Sequence, residues 1–190
     1  MFTKYERASI LLGIFGPLVA YVSIGISIVS SSWFSWEKNA LSDLGHSVKS
    51  EVAPIFNLGL FLAGSLMLIY TVLVFRNHAK YSSFFLAISV FSLQLIAVFD
   101  EVYGSIHFLV SVAFFLSIGV TSIVYAAEQK SLSPFVAFMI GFTSWIFYFF
   151  GFYKLGIAVP ETISSLAVAS ILVTSAIRIY LRNTQTRFNT

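Results

Sequence analysis

Apolar residues in this chain come in long unbroken runs, not in alternation with polar ones. Six runs are long enough to cross a bilayer: about Ala8–Val29, Pro54–Phe75, Ser82–Phe99, Ile106–Ala127, Phe135–Phe152 and Glu161–Leu181. A hydrocarbon core of about 30 Å takes roughly 20 helical residues at a rise of 1.5 Å each. Membrane strands would alternate apolar and polar positions, and these runs do not. Inside lipid every backbone N–H and C=O must be paired within the protein. The pattern therefore predicts an all-α integral membrane protein, a six-transmembrane-helix bundle with one domain over residues 1–190.

The connections between runs are short except for 30–53. That segment carries Trp33, Phe34 and Trp36, the aromatic residues suited to a membrane interface. Asn39 is a good N-cap and Gly45 a good left-handed C-terminal residue. A short helix over Asn39–Leu44 is expected, lying on the membrane surface, with Ser42 and Asp43 near the mouth of the bundle. Deeper in the spans, Gln94 is expected to bond across helices, and Gly59-xxx-Ala63 and Ser165-xxx-Ala169 are small-residue seams for close packing.

Composition agrees with the pattern. Hydrophobic residues are 58% of the chain and charged residues 10%, against about 25% charged in an ordinary soluble domain. The mean hydropathy is +0.90. A formal charge of +3 spread over several connections makes no basic patch, which excludes a nucleic-acid partner. There is no cysteine, so disulfides, thiolate metal sites and iron–sulfur clusters are excluded. No helix carries a histidine pair for heme, and no span carries a lysine for a retinal Schiff base. The cofactor stays unknown, with a divalent cation compatible with the oxygen and imidazole groups present.

Charge fixes an expected orientation. Lys4, Arg7, Arg76, Lys80, Lys130, Arg178, Arg182 and Arg187 fall on one side, and Lys38, Lys49 and Lys154 on the other. The basic side faces the cytoplasm, so both termini are expected there, in a plasma membrane. Lys4 and Arg7 precede a run too long for a signal-peptide core, which reads as the first span. The acids sort oppositely. Glu37, Asp43, Glu51, Asp100, Glu101 and Glu161 are expected outside, with only Glu6 and Glu128 inside.

Candidate chemistry follows from that outer level. Asp43, Glu101, His107, Glu161 and Ser42 come from different segments, yet all lie near outer helix ends. Ionisable groups at membrane depth are costly and usually face a cavity or one another. His107 can serve as general base or metal ligand. Glu101, Asp43 and Glu161 can join it around a cation. Ser42 can be a nucleophile where His107 reaches it, with Asp100 or Glu101 orienting the ring. Asn39, Trp36 and Asp100 are the candidate substrate-binding groups. Each also has a plain structural role: Asp43 in fixing the surface helix, His107 on a loop carbonyl, Glu161 at a helix N-terminus, and Asp100 and Glu101 as solvated loop acids. No HExxH or GxSxG string is present.

The strings SWFSWEKNALSDLG (32–45) and FNLGLFLAG at the start of the second span resemble an uncharacterised archaeal and bacterial membrane family known as domain of unknown function 998. Its architecture is related to the Frag1/DRAM/Sfk1 group. The FDE…H stretch at Phe99–His107 is similar to the family's acid-then-histidine segment, with Asp100 where the family pattern suggests proline. The resemblance implies a six-helix bundle and no activity. The distant relatives' link to lipid remodelling tilts the expectation towards lipid. Three functions stay open: a lipid-directed protein with an outward polar pocket, acting in headgroup hydrolysis or transfer; a scaffold or accessory subunit whose partner is another membrane protein; and a small ion-coupled transporter, which lacks a deep acid.

Overall fold

The computed structural model describes residues 4–152 and 154–188, with side chains for 8–152 and 154–182. The side chains of Lys4, Glu6, Arg7 and Arg187 from the charge tally lie outside the described residues. Six helices form the molecule: α1 (Lys4–Val29), α2 (Ala53–His78), α3 (Lys80–Val98), α4 (Ser105–Glu128), α5 (Leu132–Phe149) and α6 (Ala158–Phe188). All six are long and apolar enough to cross a membrane, and there is no strand among the described residues. Pro54 sits in the first turn of α2, where its missing N–H costs nothing. Within α2, residues Thr71–Phe75 wind as a π-helix, so the helix face shifts before the last turn.

Each helix packs on its neighbour in sequence, and α6 returns to α1, closing a ring. Because α4 also touches α6, α5 sits outside the ring's interior. It is the least buried of the six, whereas α2 and α3 are the most buried. The outward faces are apolar. On α1, Leu11, Phe15, Leu18, Val22 and Ile26 form one exposed stripe at helical spacing. A soluble monomer rarely exposes apolar patches beyond a few hundred Å², so these faces meet lipid and the protein is integral to a membrane.

Polar groups tie the helices where apolar contact alone gives little selectivity. Gln94 Nε2 donates to Ser65 Oγ across α2 and α3 at 2.8 Å. The Tyr70 and Ser175 hydroxyls bond at 2.8 Å between α2 and α6. Gly59 lets α2 lie directly on Ser23 of α1, which a Cβ would overlap. Ser165 and Ala169 do more than form a seam: both line the internal cavity described below. At the end of the bundle nearer the termini, Tyr70, Phe75 and Tyr125 fill the core, with successive ring centroids 6.0 and 5.3 Å apart.

The 30–52 segment covers the opposite end, here the loop end. Its short helix is a single 3-10 turn over Ser42–Gly45, starting three residues later than expected. The reason is local. Asp43 Oδ2 accepts from Asn39 Nδ2 at 2.9 Å and Ala40 N at 3.0 Å, folding 39–41 back on the turn. Asn39 is thus a tie to Asp43, not the helix cap. Gly45 has no positive φ. It is small because Phe56 and Asn57 of α2 press against it.

Candidate functional site

Three segments meet at the loop end. The first is the 3-10 turn, the second is the α3–α4 connection, and the third is the first turn of α6. A second 3-10 turn, Glu101–Tyr103, shapes the α3–α4 connection. Asp100 caps it, accepting from Val102 N at 2.9 Å, and also accepts from Ser47 N at 3.2 Å. Burial pushes Asp100 up, but these hydrogen bonds outweigh it and its carboxyl sits below the ordinary range.

Glu101 is the hub. Its Oε1 accepts from Ser42 Oγ, and lies 3.3 Å from His107 Nε2. The hydrogen bond from His107 and that from Ser42 hold Glu101 down at about 2, against the upward push of partial burial. The other ring nitrogen, Nδ1, donates to the Phe99 carbonyl at 2.8 Å. Both ring nitrogens therefore face acceptors, an arrangement that suits a ring donating on both sides. Ser111 Oγ lies 3.4 Å from Nε2, one turn along α4.

This order differs from a nucleophile–base–acid relay. The sequence set His107 between Ser42 and an acid. In the structure Glu101 stands between Ser42 and His107, and Asp100 holds the loop instead of the ring. Asp43 is spent on Asn39 and Ala40. Glu161 stands in the first turn of α6, where Oε2 accepts from Leu41 N at 2.7 Å. Asp43, Glu101 and His107 all interact electrostatically with it. Trp36 and Asn39 act through their carbonyls, which accept from Gly156 N at 2.7 Å and Ala158 N at 3.2 Å. So Ser42, Glu101 and His107 are in direct contact and Glu161 adjoins them, while Asp43, Asn39, Trp36 and Asp100 knit the loop to its surroundings. Among the described residues no three His, Asp or Glu side chains are disposed to hold one metal ion.

Beneath the rim lies a cavity of about 110 Å³, where one water needs roughly 10–15 Å³. It is lined by α1, α2, α3, α4 and α6. Its walls are apolar: Leu60, Met67, Leu86, Val90, Leu93 and Ile118 among them. Ser42 and Glu161 line its loop end. It runs from Phe56 to Met67 on α2 and from Glu161 to Leu172 on α6, about 16 Å at 1.5 Å per residue. That is about half of the hydrocarbon core's ~30 Å, the depth of one leaflet. Beyond Met67 the aromatic fill of Tyr70, Phe75 and Tyr125 follows, so the cavity is blind on that side.

Tyr21 of α1 stands between this cavity and a shallow groove on the outer face of α1 lined by Val22, Gly25 and Ile26. Its hydroxyl donates to Ser165 Oγ of α6 at 3.0 Å, where the ring of helices closes. Sequence reading passed over Tyr21. The signal was its place on one helical face with Pro17 and Ile24, at the spacing of one turn.

A family model described as a protein of unknown function (DUF998) matches residues 14–178. Nothing matches among curated proteins, and nothing among solved structures.

Proposed function

Because the chain belongs to the protein family of unknown function DUF998, whose description names no activity, we propose a function from its geometry: a lipid-directed membrane protein that draws one apolar chain into the bundle and holds the polar end at Ser42, Glu101, His107 and Glu161. The observation carrying this reading is the blind, apolar, leaflet-deep cavity ending at Ser42 and Glu161. Water gains little in such a space, since its walls offer few partners. An apolar chain gains the walls' dispersion contacts.

The basic residues at the terminal end support cytoplasmic termini and an outward-facing loop end. The chain then enters from the outer leaflet, and the Tyr21–Ser165 contact is the seam at which α1 and α6 part. Headgroup hydrolysis or transfer is the reaction class to test, with Ser42 as nucleophile and Glu101 as proton acceptor. A carboxyl held at about 2 is a poor base near neutral pH, since a base works best with a pKa near the operating pH. Both nitrogens of His107 are engaged as well. The rim therefore favours gripping a headgroup over turning it over. The aromatic fill below Met67 disfavours through-transport.

The test is lipid extraction from the purified protein, followed by mass spectrometry. Wild-type protein should release a retained lipid that Ala169→Phe, which fills the cavity, does not. Equal lipid recovery from both folded proteins would end this reading.

A further inference from the structure

We propose that the occupant of the cavity is a single apolar chain ending in a hydrogen-bond donor, a long-chain alcohol or amine, and not an anionic carboxylate- or phosphate-ended lipid. This rests on the reading that a lipid chain fills the cavity. It names the end of that chain from the groups that meet it.

The loop end of the cavity offers acceptors. Glu161 Oε2 is used by Leu41 N, and Oε1 carries no hydrogen bond among the described residues. Glu161 lines the cavity, so a hydroxyl or ammonium at the chain's end reaches that free oxygen. The other wall hydroxyls, Ser111 apart, are already donating; Ser111 Oγ lies 3.4 Å from His107 Nε2. Ser89 donates to the Phe85 carbonyl and Ser165 to the Thr162 carbonyl, while Ser42 donates to Glu101. Among the described residues no lysine, arginine or histidine lines the cavity. The nearby His107 is turned to Glu101 and Phe99. An anionic end would therefore meet Glu161, with Glu101 and Asp43 behind it, and find no free cation. Like charges at close range in a low-dielectric site repel strongly. An ammonium end gains from the carboxyl groups of Glu161, Glu101 and Asp43, and a hydroxyl end gains one hydrogen bond at the free oxygen of Glu161.

The cavity's shape restricts the ligand too. It is one leaflet deep and lined by five helices, which suits one chain in place of a branched pair.

The experiment uses the full chain in phosphatidylcholine nanodiscs. Replacing Trp33 and Trp36 by Phe leaves Trp145, whose ring centroid is 5.2 Å from that of the cavity-lining Phe115. Three probes of equal length, each brominated at the terminal carbon, are titrated: a long-chain alcohol, an amine and a fatty acid. Bromine inside the cavity quenches Trp145, and quenching that survives Ala169→Phe is subtracted as membrane background. The amine and the alcohol should half-saturate at a concentration about tenfold or more below that of the acid, equivalent to about 1.4 kcal/mol. Glu161→Gln should weaken the amine about tenfold and improve the acid relative to it. The ranking of probes on the parent protein needs no variant at Glu161. An acid that binds as well as the alcohol overturns this inference and leaves chain binding intact. The absence of any quenching sensitive to Ala169→Phe overturns chain binding itself.

Discussion

Glu101→Gln tests how the rim is held. The substitution keeps the shape and an oxygen to accept from Ser42, but removes the charge that faces His107. Glu101 sits at about 2 in place of its ordinary 4.5. At 1.36 kcal/mol per pH unit this gap corresponds to about 3 kcal/mol. The side chain is 28% exposed, so solvent screening brings the figure to about 2–3 kcal/mol. The sign follows from the direction of the shift. A carboxyl whose folded value is depressed stabilises the fold fully above its unfolded value, about 4.5. That contribution is lost as pH falls towards about 2.

The assay is thermal unfolding of both proteins in one detergent, followed by tryptophan fluorescence from pH 7 to pH 2.5. At pH 7 Glu101→Gln should unfold about 5–10 °C lower, taking roughly 2–4 °C per kcal/mol for a chain of this size. The difference should shrink through the window below about pH 4.5 as wild-type Glu101 takes up its proton. Asp100 also contributes to the acid limb, but it does so in both proteins and cancels in the difference. Equal midpoints at pH 7, or a gap that stays constant down to pH 2.5, would refute the charged Ser42–Glu101–His107 arrangement.

Three further outcomes follow from named contacts. Gly45→Ala puts a Cβ against Asn57 and within 2.8 Å of Phe56 Cδ1, so it should cost about 1–3 kcal/mol, as overpacking does; faster proteolysis within 30–52 would show it, and an unchanged cleavage rate would deny the close contact. Glu128→Ala removes the acceptor for Tyr81 N and Ser82 N, which caps the start of α3 from a neighbouring helix; a loss of about 0.5–2 kcal/mol is expected, read as a lower unfolding midpoint, and no change would mean the cap contributes nothing. Tyr21→Phe removes the bond to Ser165; a brominated alcohol should leave the cavity faster at similar equilibrium occupancy, and an unchanged exit rate would rule out a seam there.

The helices were legible because lipid admits few solutions. Runs of Leu, Ile, Val and Phe at the length of the bilayer leave only helices. Their edges were less so. α6 begins at Ala158 and not at Glu161, because hydropathy does not weigh the backbone bonds that Trp36 and Asn39 supply to Gly156 and Ala158. The level of the outer acids was readable from chain position, but their pairing was not. Asp43 and Glu101 look alike in sequence. One turns back onto its own loop and the other reaches His107, and only long-range packing decides which. The cavity was not legible at all, since its walls are Leu, Val and Ile like any core. The two strings that carry the family resemblance touch in space. Gly45 ends one and Asn57 lies in the other, and Asn57 Nδ2 donates to the Gly45 carbonyl at 2.8 Å. The resemblance therefore reports the clamp between the long loop and α2 as much as any chemistry.

That clamp and the proposed binding end share one group. Glu161 anchors the loop through Leu41 N with one oxygen and lines the cavity. A ligand on its second oxygen stiffens the same carboxylate that holds the loop, so occupancy and loop order rise together. A simple alanine at 161 would remove both at once and could not tell them apart. Ala169 lies two turns deeper on α6, lines the cavity and takes no part in the loop's bonds. Filling it blocks the chain while leaving the rim intact. The pair Ala169→Phe and Glu161→Gln therefore separates a pocket that needs a tail from a rim that needs a charge. Loss of binding in the first with weakened amine selectivity in the second is the pattern only a tail-and-head site produces.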